Sequence, residues 1–324
     1  MSLTLTRTTG GAGQAGSPRP PVVRATSRRR SWHSAGAVQS RTGWLFVAPF
    51  LILFALFTAI PVATSFAMSF TDIRSREIRN PLAVDFVGFD NFIDVLSDPT
   101  FQRALLTTLV FVALCVPLSL VIGFVLALAL DTGIRRLRST FRAVIYVPVI
   151  ANIVAAAVIW QYAFTPSGPV NTAIESLGVA GPNWFGDPAW AVANVVILSV
   201  WRNIGTCMVL FLAGLQAVPN ELYEASSLDG AGGLRSAWSI TLPLLRPTTL
   251  LVSVLMTVAF LNIFEEPYLL TGGGPLGSTR SIALWVYEQF GFGNVAGSMA
   301  GSFILLLLVG IVALVQFRVL RPKH

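Results

Sequence analysis

Charge is scarce in this sequence. Asp, Glu, Lys and Arg make up only 11% of its 324 residues, where soluble domains carry about 25%. A water-soluble fold of this size would have too little polar surface to cover itself, and a disordered chain needs the opposite composition. Lysine is nearly absent: Lys323 stands alone beside 21 arginines. Histidine is limited to His33 and His324, near the ends, and cysteine to Cys115 and Cys207. That set offers neither a disulfide framework nor metal-ligand spacing, and both cysteines, in apolar stretches, read as small buried hydrophobes. What the chain has in quantity is apolar: 54% of it is hydrophobic, with a mean hydropathy of +0.71. These features together leave a polytopic membrane protein.

Hydropathy divides the chain into a tail and six spans. Residues 1–43 are rich in Gly, Ser, Pro and Arg, without apolar periodicity, and are expected to be a disordered basic tail. Ser27-Arg28-Arg29-Arg30 resembles an export signal, but the apolar run that follows, Trp44 to about Phe70, is long enough to span. The remaining spans are expected at Ala104–Leu130, Phe141–Phe164, Trp190–Leu215, Pro243–Leu270 and Ala296–Leu320, with 321–324 as a short tail. Each fits a hydrocarbon core of about 30 Å at about 1.5 Å per residue. Pro49, Pro61, Pro117 and Pro148 fall within spans, which is tolerated where neighbouring helices satisfy the freed carbonyls. Trp285–Phe292 reads as a short helix or a re-entrant piece.

With the amino terminus cytoplasmic, 16 of the 22 basic residues fall on inner segments and 5 on outer ones, and Arg202 lies within a span. The positive-inside rule then places both termini in the cytoplasm. The net charge of +7 is thereby accounted for by topology and gives no support to a nucleic-acid partner. No internal repeat is visible, which weighs against a self-contained secondary carrier.

The fourth connection, 219–243, carries the strongest signal. Pro219, Asn220 and Glu221 suit a helix start, and Leu222, Tyr223, Ser226 and Ser227 make a short amphipathic helix too polar to span. Gly230, Gly232 and Gly233 permit a sharp turn. A second segment, about Leu234–Leu242, leads to Pro243 at the start of the next span. Such a helix-turn-helix can insert an apolar stripe into a groove on a partner, with Glu224 and Asp229 meeting basic residues.

Here the chain resembles the permease subunits of binding-protein-dependent ATP-binding-cassette importers. Their cytoplasmic signature is Glu-Ala-Ala, three residues, Gly, nine residues, Ile, one residue, Leu-Pro. This chain has Glu224, Ala225, Gly230, Ile240, Leu242 and Pro243 at those spacings, with Ser226 for the second Ala. Tyr268 to Pro275 with Ser278-Thr279, and Phe86-Val87-Gly88-Phe89-Asp90-Asn91-Phe92, are similar to segments of the sugar permeases of the maltose and glycerol-phosphate type. The resemblance implies an all-α fold of six transmembrane helices with a coupling helix between the fourth and fifth. It also implies a bacterial cytoplasmic (inner) membrane location. The implied partners are a second homologous permease, two ATPase subunits holding ATP and Mg, and an extracytoplasmic solute-binding protein that delivers a sugar. No cofactor, metal or catalytic residue is expected on this chain, and its glycine run is no phosphate loop, since no Lys-Ser/Thr follows it.

Polar groups inside spans are candidates for the substrate path. In the fifth span Asn262, Glu265 and Glu266 stand at i, i+3 and i+4, on one expected helical face with Leu255, Val258 and Ala259, and Phe260 at its border. Acceptors beside an aromatic ring suit a sugar, although the two glutamates also suit a helix end held by Pro267. Arg202, with Trp201 and Asn203, either lines a polar cavity or neutralises an acid of the partner permease. Asn152, Trp160, Gln161 and Tyr162 are weaker candidates, Trp160 and Tyr162 reading as an interfacial belt. The acidic bias weighs against a strongly anionic substrate. Two other classes stay in view: an ion- or proton-coupled carrier and an importer permease for a non-sugar solute. A membrane-embedded transferase lacks any Asp-x-Asp or paired-His constellation.

Overall fold

The computed structural model describes residues 44–77, 84–132, 137–228 and 232–320. These are helical throughout, apart from connecting turns and one isolated bridge between Thr71 and Phe86. The chain divides into two units, Met1–Ala59 and Ile60–His324. In the first, a helix begins at Trp44 with its apolar side chains exposed, as suits lipid, and closes on a π-helical turn at Ala55–Ala59. Phe50 and Phe54 stack along it, 6.1 Å between ring centroids.

In order along the chain, the helices are α1 (Trp44–Met68), α2 (Asp90–Ser97), α3 (Pro99–Thr132), α4 (Arg138–Ile150), α5 (Ile153–Ala163), α6 (Pro169–Ser176), α7 (Pro188–Gln216) and α8 (Asn220–Leu228). After them come α9 (Arg246–Leu261), α10 (Glu265–Thr271), α11 (Ile282–Gly291) and α12 (Val295–Leu320). α1, α3, α7 and α12 are long and apolar enough to cross a membrane unbroken.

The core forms where α3 lies against α7. Phe111, Cys115, Cys207, Met208 and Phe211 are buried there, and Phe124 meets Phe211 edge-on at 5.6 Å. Lipid tails are as apolar as leucine, so close packing must hold these helices together. Glycine permits it at two crossings: a Cβ on Gly123 would stand 2.4 Å from the Cys207 Cβ, and one on Gly205 would stand 2.8 Å from the Ile145 carbonyl oxygen on α4. Gly123→Val is therefore expected to push α3 from α7 and cost about 1–3 kcal/mol. A fall in the melting temperature of the detergent-purified protein would register it, whereas Gly310→Val, where nothing stands within 4 Å of the added Cβ, is expected to leave it unchanged.

The third and fifth spans depart from the sequence expectation. Neither is a single helix. α4 and α5 meet at 95°, and Ala237–Leu244 meets α9 at 65°. At the first break Ala151 and Asn152 are both extended, with ψ of 142° and 122°. Pro148, just upstream, removes a backbone donor. Asn152 then starts a new helix: its Oδ1 accepts from the amides of Val154 and Ala155 at 2.9 and 3.3 Å. It caps that helix. At the second break Pro243 does not open the long span. It lies in a short helix, Leu242–Leu244, reached from Gly233–Ser236 through a π-helical turn at Ala237–Thr241. The span proper begins at Arg246, because Pro247 can donate no hydrogen bond back across Leu245 and suits a first turn instead. Trp285–Gly291 proves to be helical, within α11, and Phe292 is its C-cap.

Candidate functional site

The one-helix face expected for Asn262, Glu265 and Glu266 does not exist, because α9 ends at Leu261 and α10 begins at Glu265. Pro267 supplies the reason. In a continuous helix its ring would press on the carbonyl of residue 263, and that carbonyl would lose its donor. The chain breaks there instead, and the Ser281 hydroxyl donates to the Ile263 carbonyl oxygen at 2.6 Å. The same oxygen of Ser281 accepts from the Leu284 amide at 3.1 Å and caps α11. One serine thus holds the open turn of the fifth span against the next helix.

The break nevertheless gathers the expected polar groups. Arg202, Asn203, Phe260, Asn262, Glu265 and Glu266 line one cavity of about 400 Å³, together with Val149, Ala259, Ile263 and Phe264. Arg202 Nη1 donates to Glu265 at 2.8 Å and to Glu266 at 3.0 Å, tying α7 to the start of α10. The two carboxylates differ. Glu266 is buried, with its side chain 8% exposed, and Glu265 is half open at 50%. Arg202, 28% exposed, compensates the buried Glu266, and Glu265 leaves a net negative charge facing the cavity. Asn262 and Asn203 turn their amide N–H groups back to Val258 and Ser199 carbonyls, at 2.8 and 2.9 Å, which leaves both Oδ1 atoms as acceptors. Phe260 is 2% exposed and serves mainly as core.

Trp201 is not part of this lining. It packs on Trp160, which stacks on Phe164, with Trp184 and Trp190 beyond, all at 4.9–5.2 Å between ring centroids. Trp160 is not a belt residue either: its Nε1 donates to the buried Asn194 at 2.9 Å. Tyr162 is 72% exposed. Gln161 donates to the Leu269 carbonyl at 2.7 Å, at the edge of a second cavity of about 470 Å³.

Sequence reasoning missed Phe264. It stacks on Tyr268 at 5.3 Å and meets Tyr287 at 5.2 Å, so an aromatic cluster flanks the break. Pro267 was the available signal. The glycine run after the fifth span is structural as well: Gly272, at φ 58°, ends α10 in a left-handed cap, and the Gly273 amide reaches back to the Pro267 carbonyl at 3.3 Å.

In the fourth connection α8 carries Glu224, Ala225 and Ser226 on one short helix. Glu224 is exposed and Ser226 is 8% exposed. The Tyr223 hydroxyl lies 3.1 Å from the Thr241 hydroxyl and clips α8 to the segment that holds Ile240, Leu242 and Pro243. Ile240 and Leu242 are half-buried and Pro243 is exposed. Asp229 and Gly230 lie outside the described residues, as do the 1–43 and 321–324 tails. Leu222, Leu228 and Trp238 present apolar surface on this connection.

Long apolar helices, two bent helix pairs and a cavity lined by an ion pair are what a membrane-embedded permease requires. Residues 96–323 match the family of binding-protein-dependent transport system inner membrane components, and the chain belongs to that family. It is a multi-pass membrane protein and a transporter permease subunit. It is similar to the trehalose/maltose transport system permease protein MalF of Thermococcus litoralis, 33% identical over 287 residues, covering 88% of this chain and 96% of that one. It is also similar to the lactose transport system permease protein LacF of Rhizobium radiobacter, 30% identical over 287 residues, covering 87% and 94%. Among solved structures, a chain of a bacterial alginate ABC transporter, in complex with alginate pentasaccharide-bound periplasmic protein, superposes with a TM-score of 0.76. It is 22% identical, covers 90% of this chain and 97% of that one, and so shares the fold.

Proposed function

We propose that this chain is one transmembrane half of an ATP-driven importer for a sugar or oligosaccharide, working by alternating access. The observation that carries the reading is the family match across 96–323 together with relatives whose names specify sugars. The substrate passes at the broken fifth span, where Glu265, Asn262 and Asn203 offer acceptors to hydroxyl groups. The net negative lining favours a neutral solute over a sugar phosphate. The two bent helix pairs each count as one span, which gives six, with both termini cytoplasmic. α8 is the coupling helix and docks on a separate ATPase subunit that holds ATP and Mg. A second permease completes the pathway, and an extracytoplasmic binding protein delivers the sugar. Closure of the ATPase pair draws the coupling helices together and turns the spans outward as rigid bodies. Such a unit performs no covalent chemistry on its cargo.

The test is affinity purification of the tagged chain from its native membrane, followed by reconstitution with the sugar found by screening the co-purified binding protein. Uptake is expected only with ATP and all partners present. Uptake by this chain alone, without ATP, would overturn the reading in favour of an ion-coupled carrier.

A further inference from the structure

The start of α4 holds a charge imbalance that the transport reading does not use. We propose that it binds the phosphate headgroup of an anionic phospholipid through Arg138 and Arg142. The two arginines stand one helical turn apart and leave α4 on one face. Both are half-buried, and the Nε of each is shielded from solvent with no acceptor among the described residues. Neither has a carboxylate partner there. Among the described residues Arg138 donates to the backbone carbonyl of Asp131, at the end of α3. A guanidinium N–H sealed off without an acceptor is costly, and a phosphate with several oxygens matches the arginine fork.

The surroundings select a lipid rather than a soluble anion. Leu137, Phe141 and Val144 are 45%, 50% and 61% exposed, and at i, i+4 and i+7 they form a stripe beside the arginines that leads into the apolar length of α4. An acyl chain covers that stripe while its headgroup meets the charge at the polar end. Free phosphate would gain nothing from the stripe, and an acidic protein segment would leave it bare. The N-cap, Leu137, has no side-chain acceptor for the first-turn amides, so the positive end of a 13-residue helix adds to the same field.

The intact membrane complex, delipidated and returned to nanodiscs of phosphatidylglycerol or phosphatidylcholine, tests this by native mass spectrometry. The wild type is expected to retain phosphatidylglycerol selectively. R138Q/R142Q is expected to weaken retention about 25-fold, at about 5-fold for each arginine. R318Q, at the end of α12, controls for general surface charge and is expected to leave retention unchanged. If the double variant does not accumulate, R142Q alone carries the test with about a 5-fold loss. Retention of phosphatidylglycerol by R142Q and R138Q/R142Q at the wild-type level would overturn the proposal. Displacement of the lipid by millimolar inorganic phosphate would overturn it in favour of a soluble-anion site. Photocrosslinking from position 141 to a protein chain, with no lipid adduct, would overturn it in favour of a protein interface.

Discussion

Arg202→Ala is expected to destabilise the protein by about 3–5 kcal/mol, the usual cost of removing one partner from a buried charge pair. Glu266 explains the size. Its side chain is 8% exposed, and Arg202, at 3.0 Å, is its counter-charge among the described residues. Without the guanidinium an anion stays buried at the start of α10, next to the break that Pro267 and Ser281 hold open. Glu265 contributes less, being half in solvent, so Glu265→Gln is expected to cost under about 1 kcal/mol. A melting temperature lowered on the order of 10 °C in R202A, with E265Q close to wild type, is the signature. The double change R202M/E266M is the control, because replacing both partners with apolar groups of similar volume is often neutral. A melt for R202A equal to that of the wild type would show that the pair contributes nothing. If R202M/E266M folds but E265Q lowers the rate of ATP-driven uptake, the two carboxylates have separable roles, Glu266 in structure and Glu265 toward the solute.

The same region shows what a sequence can reveal about a membrane fold and where it stops. The unbroken spans are legible because lipid demands about 20 apolar residues in a row: Trp190–Leu215 is the expectation, and α7 covers Pro188–Gln216, with Asp187 capping its first amides at 2.8 and 3.2 Å. A hydropathy window averages over a bend, so the 95° and 65° breaks disappear inside spans of acceptable length. Their causes were nonetheless in the sequence, at Pro148 and Pro247, as was that of the later break between α9 and α10, at Pro267. What no local pattern carries is pairing at a distance. Arg202 and Glu266 are 64 residues apart, and only the meeting of α7 with α10 makes them partners. Trp201 shows the reverse error. It adjoins Arg202 in sequence but points along the other side of α7, into the aromatic stack with Trp160. Neighbours in a helix are about 100° apart, so a functional residue does not lend its role to the next one.

Glu224→Lys is expected to abolish ATP-driven uptake while leaving the protein in the membrane. The side chain lies on the exposed surface of α8, where even a paired charge contributes no more than about 1 kcal/mol. Folding should therefore survive. The docking contact should not. If α8 seats in a groove of an ATPase subunit with Glu224 against a basic residue, reversal sets two like charges face to face in a desolvated contact and costs about 2–5 kcal/mol. That weakens the association by roughly 30-fold to several thousand-fold. Glu224→Gln keeps the shape and loses only the charge, so it should fall between. Ser226→Leu probes the opposite side of the same helix. Ser226 is 8% exposed, so the larger side chain is expected to disturb how α8 rests on the rest of the chain and to lower uptake through geometry. The measurement is paired: uptake in cells or proteoliposomes, and the amount of ATPase that co-purifies with the tagged chain. Loss of both in E224K, with normal membrane levels, identifies a docking residue. Loss of uptake with full co-purification identifies a residue that transmits motion after docking, which α8 would do through the clip between Tyr223 and Thr241. Normal uptake with unchanged co-purification would show that α8 does not couple this permease to ATP hydrolysis.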